Sequence, residues 1–203
     1  MSRCILAFRH APVAASGLCY GRTDVPTLLD DEAAAHQILA KLPSSLPETA
    51  SLVWSSPAAR CRGPAMRVAR ALGLPHREDP LLAELDQGAW EGLRWDVIAR
   101  DDRERYHAWM VGWQSLAPPG GERIADLEAR ACRWLSALPG DGAHILVAHA
   151  GFVRALWVVT EQIDWADAMS RPVPHLEPMA LCVSLRQERC LPSNLSAGQD
   201  ARR

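Results

Sequence analysis

The feature that most constrains this chain is a recurring unit in which a short apolar run stops abruptly at polar residues and a helical pattern follows. Cys4–Phe8 stops at Arg9-His10, Ser51–Trp54 at Ser55-Ser56, and Ile145–Ala148 at His149. Short apolar runs bounded in this way read as buried strands. Pro80–Leu85 and Ala180–Leu185 read as two more. Asp31–Leu42 reads as a helix opened by Asp30 or Asp31 as its cap. Ser55-Ser56-Pro57 reads as an N-cap followed by proline at the first helical position. In the helix after it, Ala58, Cys61, Ala65, Val68, Ala69 and Leu72 share one face. Ile124, Leu127, Ala131, Trp134, Leu135 and Leu138 form the apolar stripe of another helix. A turn at Gly140–Gly142 and a helix over Phe152–Ile163 complete the pattern. Strands alternating with helices imply an α/β fold with a mostly parallel sheet.

The chain has 203 residues, the size of one domain. We place that domain at residues 1–192. The stretch from Glu91 to Trp113 carries many charges and, with Trp90, four tryptophans. It reads as irregular helix, a small cap segment over about 91–117. The polar tail 193–203 is expected to be disordered. Because the formal net charge is only -2, there is no electrostatic case for nucleic acid or for an anionic membrane. No apolar run approaches the length of a membrane span. Cys4–Phe8 is too short for a signal peptide and meets Arg9-His10 at once, so a cytoplasmic location is expected. The six cysteines form no CxxC pair. Neither a zinc site nor a disulfide framework is indicated, and most thiols are expected to be reduced. A homodimer is left open.

In open α/β sheets, ligands bind beyond the carboxyl ends of the strands, and those ends hold a coherent set. Arg9 and His10 follow the first strand. Ser55 and Ser56 follow the second, with Arg60 in the first turn of its helix. Glu84 lies near the end of the third, and His149 follows Ile145–Ala148. Taken singly, each is an ordinary structural or surface residue. Their joint placement is what carries meaning. Two arginines would repel a metal ion but suit an oxyanion that accepts forked hydrogen bonds. A phosphoryl group fits best, and helices starting near Pro57 and Ala150 are expected to aim backbone N–H groups at it. Neutral imidazole is a competent nucleophile, and a carboxyl group can protonate a leaving alkoxide.

These residues also carry a resemblance to the histidine phosphatase superfamily, the phosphoglycerate-mutase-like proteins. FRHAPV at 8–13 resembles the family's Arg-His-Gly signature, and SSPAARCRGPA at 55–65 its Ser-Ser-x-x-x-Arg segment. AELDQGAWEG at 83–92, PPGGE at 118–122 and LVAHAGFVRAL at 146–156 resemble three further family segments, in family order. The resemblance implies a three-layer α/β/α sandwich with a small helical cap and a phosphomonoester hydrolase that needs no metal or cofactor. It implies that His10 is phosphorylated, that Arg9, Arg60 and His149 surround the phosphoryl group, and that Glu84 is general acid and then base. GLCYGRTDVP at 17–26 resembles the α-ribazole phosphatase branch, which acts in cobalamin assembly. That makes α-ribazole 5′-phosphate the first substrate to consider and Arg22 a substrate-binding candidate. Ala11 and Ala150 stand where the family usually has glycine, and alanine would be strained there if φ were positive.

Three other readings share these residues. One is a cofactor-dependent phosphoglycerate mutase, which must shield its phosphohistidine from water. Another is a non-catalytic binder of phosphorylated ligands. The third is a metallohydrolase using His10, His149 and Glu84.

Overall fold

The structure, a computed structural model, describes residues 2–44, 46, 50–139 and 142–184. Among them five strands form one sheet: β1 (Ser2–Arg9), β2 (Ala50–Ser55), β3 (His76–Glu78), β4 (Gly142–Ala148) and β5 (Pro178–Ser184). Their order is β3-β2-β4-β1-β5. All neighbours are parallel except β5, which runs antiparallel to β1. The mostly parallel α/β reading therefore holds.

Side-chain alternation along the strands builds the layers. Leu6, Phe8, Ile145 and Val147 point to one face, where they pack with Ala34, Ala35 and Ile38 of α1 (Asp31–Ala40) and Cys61, Ala65, Val68 and Ala69 of α2 (Ala59–Leu72). Ile5, Ala7, Leu146 and Ala148 point to the other face. There they meet Leu127, Ala131 and Trp134 from the helix Ile124–Ala137 and Phe152, Val153 and Leu156 from Ala150–Glu161. Both faces of the sheet are thus covered, as a parallel sheet requires.

A smaller apolar cluster lies apart from these two. Cys19, Trp90 and Ile98 are buried there, with Trp95, Tyr106 and Trp109 packed against them. Its helices are α3 (Trp95–Asp101) and α4 (Arg103–Gly112), so the tryptophan-rich stretch is helical as read. The Trp90 indole N–H donates to Asp102 at 2.8 Å. In chain order the remaining helices are α5 (Ile124–Ala137), α6 (Ala150–Glu161) and α7 (Trp165–Ser170).

Two local readings are corrected. Pro80–Leu85 is not a strand. Pro80–Leu82 forms a short 3-10 turn, capped by the Asp79 carboxylate accepting from the Leu81 N–H at 2.9 Å. The proline that heads this run has no N–H to give a ladder. The third strand is instead the short polar edge His76–Glu78, which has too few apolar residues to be read as a strand. The second correction concerns α2, which begins at Ala59 rather than at Pro57, although the Ser56 hydroxyl does accept the Ala58 N–H at 3.3 Å just ahead of it. Its first N–H is taken by Asp24 of a distant loop at 2.9 Å. The readings of a turn over Gly140–Gly142 and of a tail from 193 fall wholly or mostly outside the described residues. No helix among the described residues is long and apolar enough to cross a membrane. Cys4, Cys19, Cys61 and Cys182 are free thiols, whereas Cys132 is disulfide-bonded.

Candidate active site

The sheet order brings three chain-distant strand ends together. Because β4 lies between β1 and β2, His149 is held between His10 and Ser56. The His10 N–H donates to the Ala148 carbonyl at 3.0 Å, and the Ser56 N–H to the Val147 carbonyl at 3.2 Å. The two imidazole rings lie 5.3 Å apart, edge to face.

His10 is only 3% exposed. Its Nδ1 lies 2.7 Å from the Ala11 carbonyl oxygen. A carbonyl can only accept, so Nδ1 must carry the proton, leaving Nε2 with a free lone pair. Burial pushes the imidazole down to about 3, with Arg60, Arg9 and His175 adding to the effect and the Ala11 hydrogen bond opposing it. His10 is therefore a neutral base at physiological pH.

His149 is buried between two partners that fix its tautomer in the same way. An Arg60 guanidinium N–H donates to Nδ1 at 3.4 Å, so the proton sits on Nε2, which donates to the Ser56 hydroxyl at 2.8 Å. Burial, reinforced first by Arg60 and then by His10, drives its pKa well below the ordinary histidine value.

Arg60 is also 3% exposed. Its two terminal nitrogens donate to the Gly21 carbonyl at 2.6 Å and the Thr23 carbonyl at 2.9 Å. Its Nε is buried with no partner among the described residues. The 20–24 loop that receives Arg60 is itself pinned. The Gly21, Arg22 and Thr23 N–H groups all donate to the Glu91 carboxylate, at 2.8 to 3.1 Å. Arg9 donates to the Val173 carbonyl at 3.1 Å, and its Nε is likewise unpartnered.

Glu84 follows the 3-10 turn, and its carboxylate is held by the Leu85 N–H at 2.9 Å and the Gly151 N–H at 3.0 Å. Gly151 is required for this approach, since a Cβ there would lie 2.2 Å from a Glu84 oxygen. Glu84, His149 and Arg22 line one pocket of about 190 Å³, with Gly21, Ser56, Pro57, Ala58, Pro80 and Ala83. Arg22 stands at its rim, 49% exposed, 3.3 Å from Asp86 and 3.8 Å from Glu122.

The expected helix N-termini behave differently from the sequence reading. The Ala59 N–H is given to Asp24 and the Gly151 N–H to Glu84, so these two donors serve carboxylates of the chain itself. Neither Ala11 nor Ala150 has positive φ, so neither alanine is strained.

One neighbour escaped the sequence reading. The His175 Nδ1–H donates to the His10 carbonyl at 2.6 Å, and its ring lies 5.4 Å from that of His10. The next residue, Leu176, has φ 55 and donates its N–H to the Arg9 carbonyl at 2.9 Å. A bulky residue in the left-handed region is costly and persists only where its surroundings impose it. The only signal in the sequence was a histidine in a proline-rich loop, with no periodicity to place it.

Two imidazoles buried in the neutral form make stability pH-dependent. In the unfolded chain they titrate near 6.5, whereas in the fold they resist protonation. Below that pH the unfolded state binds more protons, so stability is full above about pH 6.5 and falls as pH drops, by up to about 1.4 kcal/mol per pH unit for each such group. Thermal midpoints measured from pH 7.5 to 4.5 should decline, and His10→Gln should decline less steeply. Equal slopes would mean that His10 is not held neutral.

Comparison with known proteins gives a consistent result. The sequence model of the histidine phosphatase superfamily (branch 1) matches residues 5–190. A bifunctional protein of Mycobacterium tuberculosis is 42% identical over 81 residues, 40% of this chain and 22% of that protein. A 2,3-bisphosphoglycerate-dependent phosphoglycerate mutase of Bradyrhizobium sp. is 37% identical over 105 residues, 49% of this chain and 50% of that one. The chain thus spans half or less of these curated relatives. The crystal structure of the alpha-ribazole phosphatase from Shigella flexneri superposes with a TM-score of 0.75 at 24% identity, covering 89% of each chain.

Proposed function

The chain belongs to the histidine phosphatase superfamily (branch 1), and from that premise we propose that it hydrolyses a small phosphomonoester through a phosphohistidine on His10. The observation that carries this reading is the His10 tautomer. Its Nδ1–H is tied to the Ala11 carbonyl, so the bare Nε2 is the nitrogen available for attack. It lies in the field of Arg9 and Arg60, where a phosphoryl dianion is stabilised and a metal cation is repelled.

In the first step Nε2 bonds to phosphorus as the ester P–O bond breaks. Protonated Glu84 gives its proton to the departing alkoxide. Arg9 and Arg60 stabilise the equatorial oxygens, where charge collects during transfer, and His149 joins them by turning its Nε2–H from the Ser56 hydroxyl to a phosphoryl oxygen. In the second step the Glu84 carboxylate takes a proton from water as that oxygen bonds to phosphorus and the P–Nε2 bond breaks. Phosphate leaves, His10 is again neutral, and Glu84 is again protonated.

The small pocket and its short apolar side chains, Pro57, Ala58, Pro80 and Ala83, suit a metabolite rather than a phosphoprotein. We take α-ribazole 5′-phosphate as the leading substrate, with cobalamin assembly in the cytoplasm as the setting. Arg22 at the rim would contact the part of the substrate beyond the phosphate. A screen against α-ribazole phosphate, 3-phosphoglycerate and sugar phosphates tests the assignment. Release of inorganic phosphate should be fastest from α-ribazole phosphate, and a faster sugar phosphate would replace it.

The local similarity to a phosphoglycerate mutase favours one second reading. With 2,3-bisphosphoglycerate, a phosphatase passes the phosphoryl group to water, whereas a mutase retains it and converts 3-phosphoglycerate to the 2-isomer. We expect inorganic phosphate and no isomerisation.

The acid role of Glu84 makes a separate prediction. An alkoxide leaves poorly without a proton, whereas nitrophenolate needs little help. Glu84→Gln should slow the phosphorylation burst with an alkyl phosphate at least ~10-fold more than with p-nitrophenyl phosphate, within the ~10²–10⁴ range of acid–base catalysis. Single-turnover rates are needed, because loss of the base also slows hydrolysis of the phosphohistidine for both substrates. Equal losses would leave Glu84 as a binding carboxylate.

A further inference from the structure

Glu84 sits on backbone with no regular structure of its own, because only the Pro80–Leu82 turn precedes it and residues 83–87 are neither helix nor strand. What holds this backbone is a buried ion pair from another part of the chain. Arg130 of α5 is 4% exposed, and Glu122 precedes that helix. The Arg130 Nε and Nη2 meet the two Glu122 oxygens at 2.7 and 3.0 Å. The remaining nitrogen, Nη1, donates to the Leu81 carbonyl at 2.6 Å and to the Ala83 carbonyl at 2.5 Å. Glu122 closes the other side, since its N–H donates to the Asp86 carbonyl at 2.9 Å and its carboxylate accepts from the Asp86 N–H at 3.3 Å.

Glu84 is therefore bracketed. The pair grips the backbone at 81 and 83 before it and at 86 after it. Stability alone does not call for this arrangement, because a buried ion pair can often be replaced by packed apolar residues at little cost. A guanidinium is special in reaching a carboxylate and two carbonyls at once in one plane. On the reading that Glu84 is the general acid, we propose that Arg130 and Glu122 are positioning residues that set the Glu84 carboxyl at the leaving-group oxygen. Neither touches substrate in this role, and both act through the 81–86 backbone.

The test compares phosphorylation bursts with an alkyl phosphate and with p-nitrophenyl phosphate. Arg130→Lys keeps the charge that Glu122 requires but cannot span the carboxylate and both carbonyls. It should lower the alkyl-to-nitrophenyl rate ratio at least ~10-fold, since a misplacement of about 1 Å can cost ~10² in rate. The double variant Arg130→Lys with Glu84→Gln should show no ratio lower than Glu84→Gln alone. A purely structural loss would reduce the active fraction and both bursts together, leaving the ratio at the parent value, and that outcome overturns the proposal. If Arg130→Lys does not fold, Glu122→Gln takes its place with the same expectation and the same overturning result. An unchanged ratio in Glu84→Gln itself would overturn both the acid reading and the clamp. A lowered ratio there with a parent ratio in the clamp variants would overturn the clamp alone.

Discussion

Replacing His10 with alanine is expected to cut turnover by at least ~10³-fold, the scale of removing a nucleophile from a cooperating set. The chemistry leaves few substitutes. Cys61 is buried, and burial pushes its thiol far above the usual range, so no thiolate is present to take over. The Ser56 hydroxyl is a partner of His149 Nε2 at 2.8 Å and is a nearby oxygen nucleophile to consider. Rapid quenching of the parent enzyme separates the two. Phosphate on an imidazole nitrogen is acid-labile and base-stable, whereas a serine phosphoester survives acid. We expect acid-labile phosphate on the peptide bearing His10, absent from His10→Ala. Near-parent turnover in that variant, or acid-stable phosphate on Ser56, would sink the mechanism.

The second large effect is expected at Arg60. Arg60→Lys keeps the positive charge yet should lower kcat/KM by ~10²–10³-fold, the scale of losing one preorganised donor in an electrostatic pocket. The guanidinium is engaged in a plane that an ammonium cannot reproduce. It meets the Gly21 and Thr23 carbonyls, leans on His149 Nδ1 at 3.4 Å, and lies over the Tyr20 ring at 5.4 Å. A lysine would release part of the 20–24 loop and let His149 change tautomer. Steady-state kinetics with a thermal melt of the same preparation checks this. If a folded Arg60→Lys enzyme matches the parent, Arg60 has no part in phosphoryl stabilisation.

Much of this site was legible in the sequence because the relevant signals are local. An apolar run followed by a polar break marks where a buried strand ends, and in a parallel sheet the ends of strands are where ligands bind. His10, Ser56 and His149 follow directly from that rule, and Arg60 from its place in the first turn of the next helix. The α5 stripe was equally readable, and Ile124, Leu127, Ala131, Trp134, Leu135 and Leu138 are all buried. Arg130 lies on the same stripe, one turn from Leu127 and Trp134. Its burial was therefore signalled by an arginine on an apolar face, but its partners were not.

The errors arose where a contact from far along the chain overrode a local preference. Ser56 has the residue type of a helix cap, and its hydroxyl accepts the Ala58 N–H at 3.3 Å as well as meeting His149, yet the helix itself starts only at Ala59, whose N–H goes to Asp24. Pro80–Leu85 has the apolar content of a strand, yet the Asp79 cap and the Arg130 donors turn it into an irregular support for Glu84.

By itself, then, the sequence determined the α/β class, the ends of β1, β2 and β4, and the arginine, imidazole and hydroxyl groups that stand there, because residue periodicity and strand termination are set within a few neighbours. Only the tertiary structure decided that β4 lies between β1 and β2, which puts His149 beside both His10 and Ser56. It also decided which nitrogen of each imidazole carries the proton, that the Glu84 backbone is held by Arg130 and Glu122, and that His175 reaches the His10 carbonyl. Each of these depends on hydrogen-bond partners far apart in the chain, and directional contacts of that kind exist only once the layers have packed.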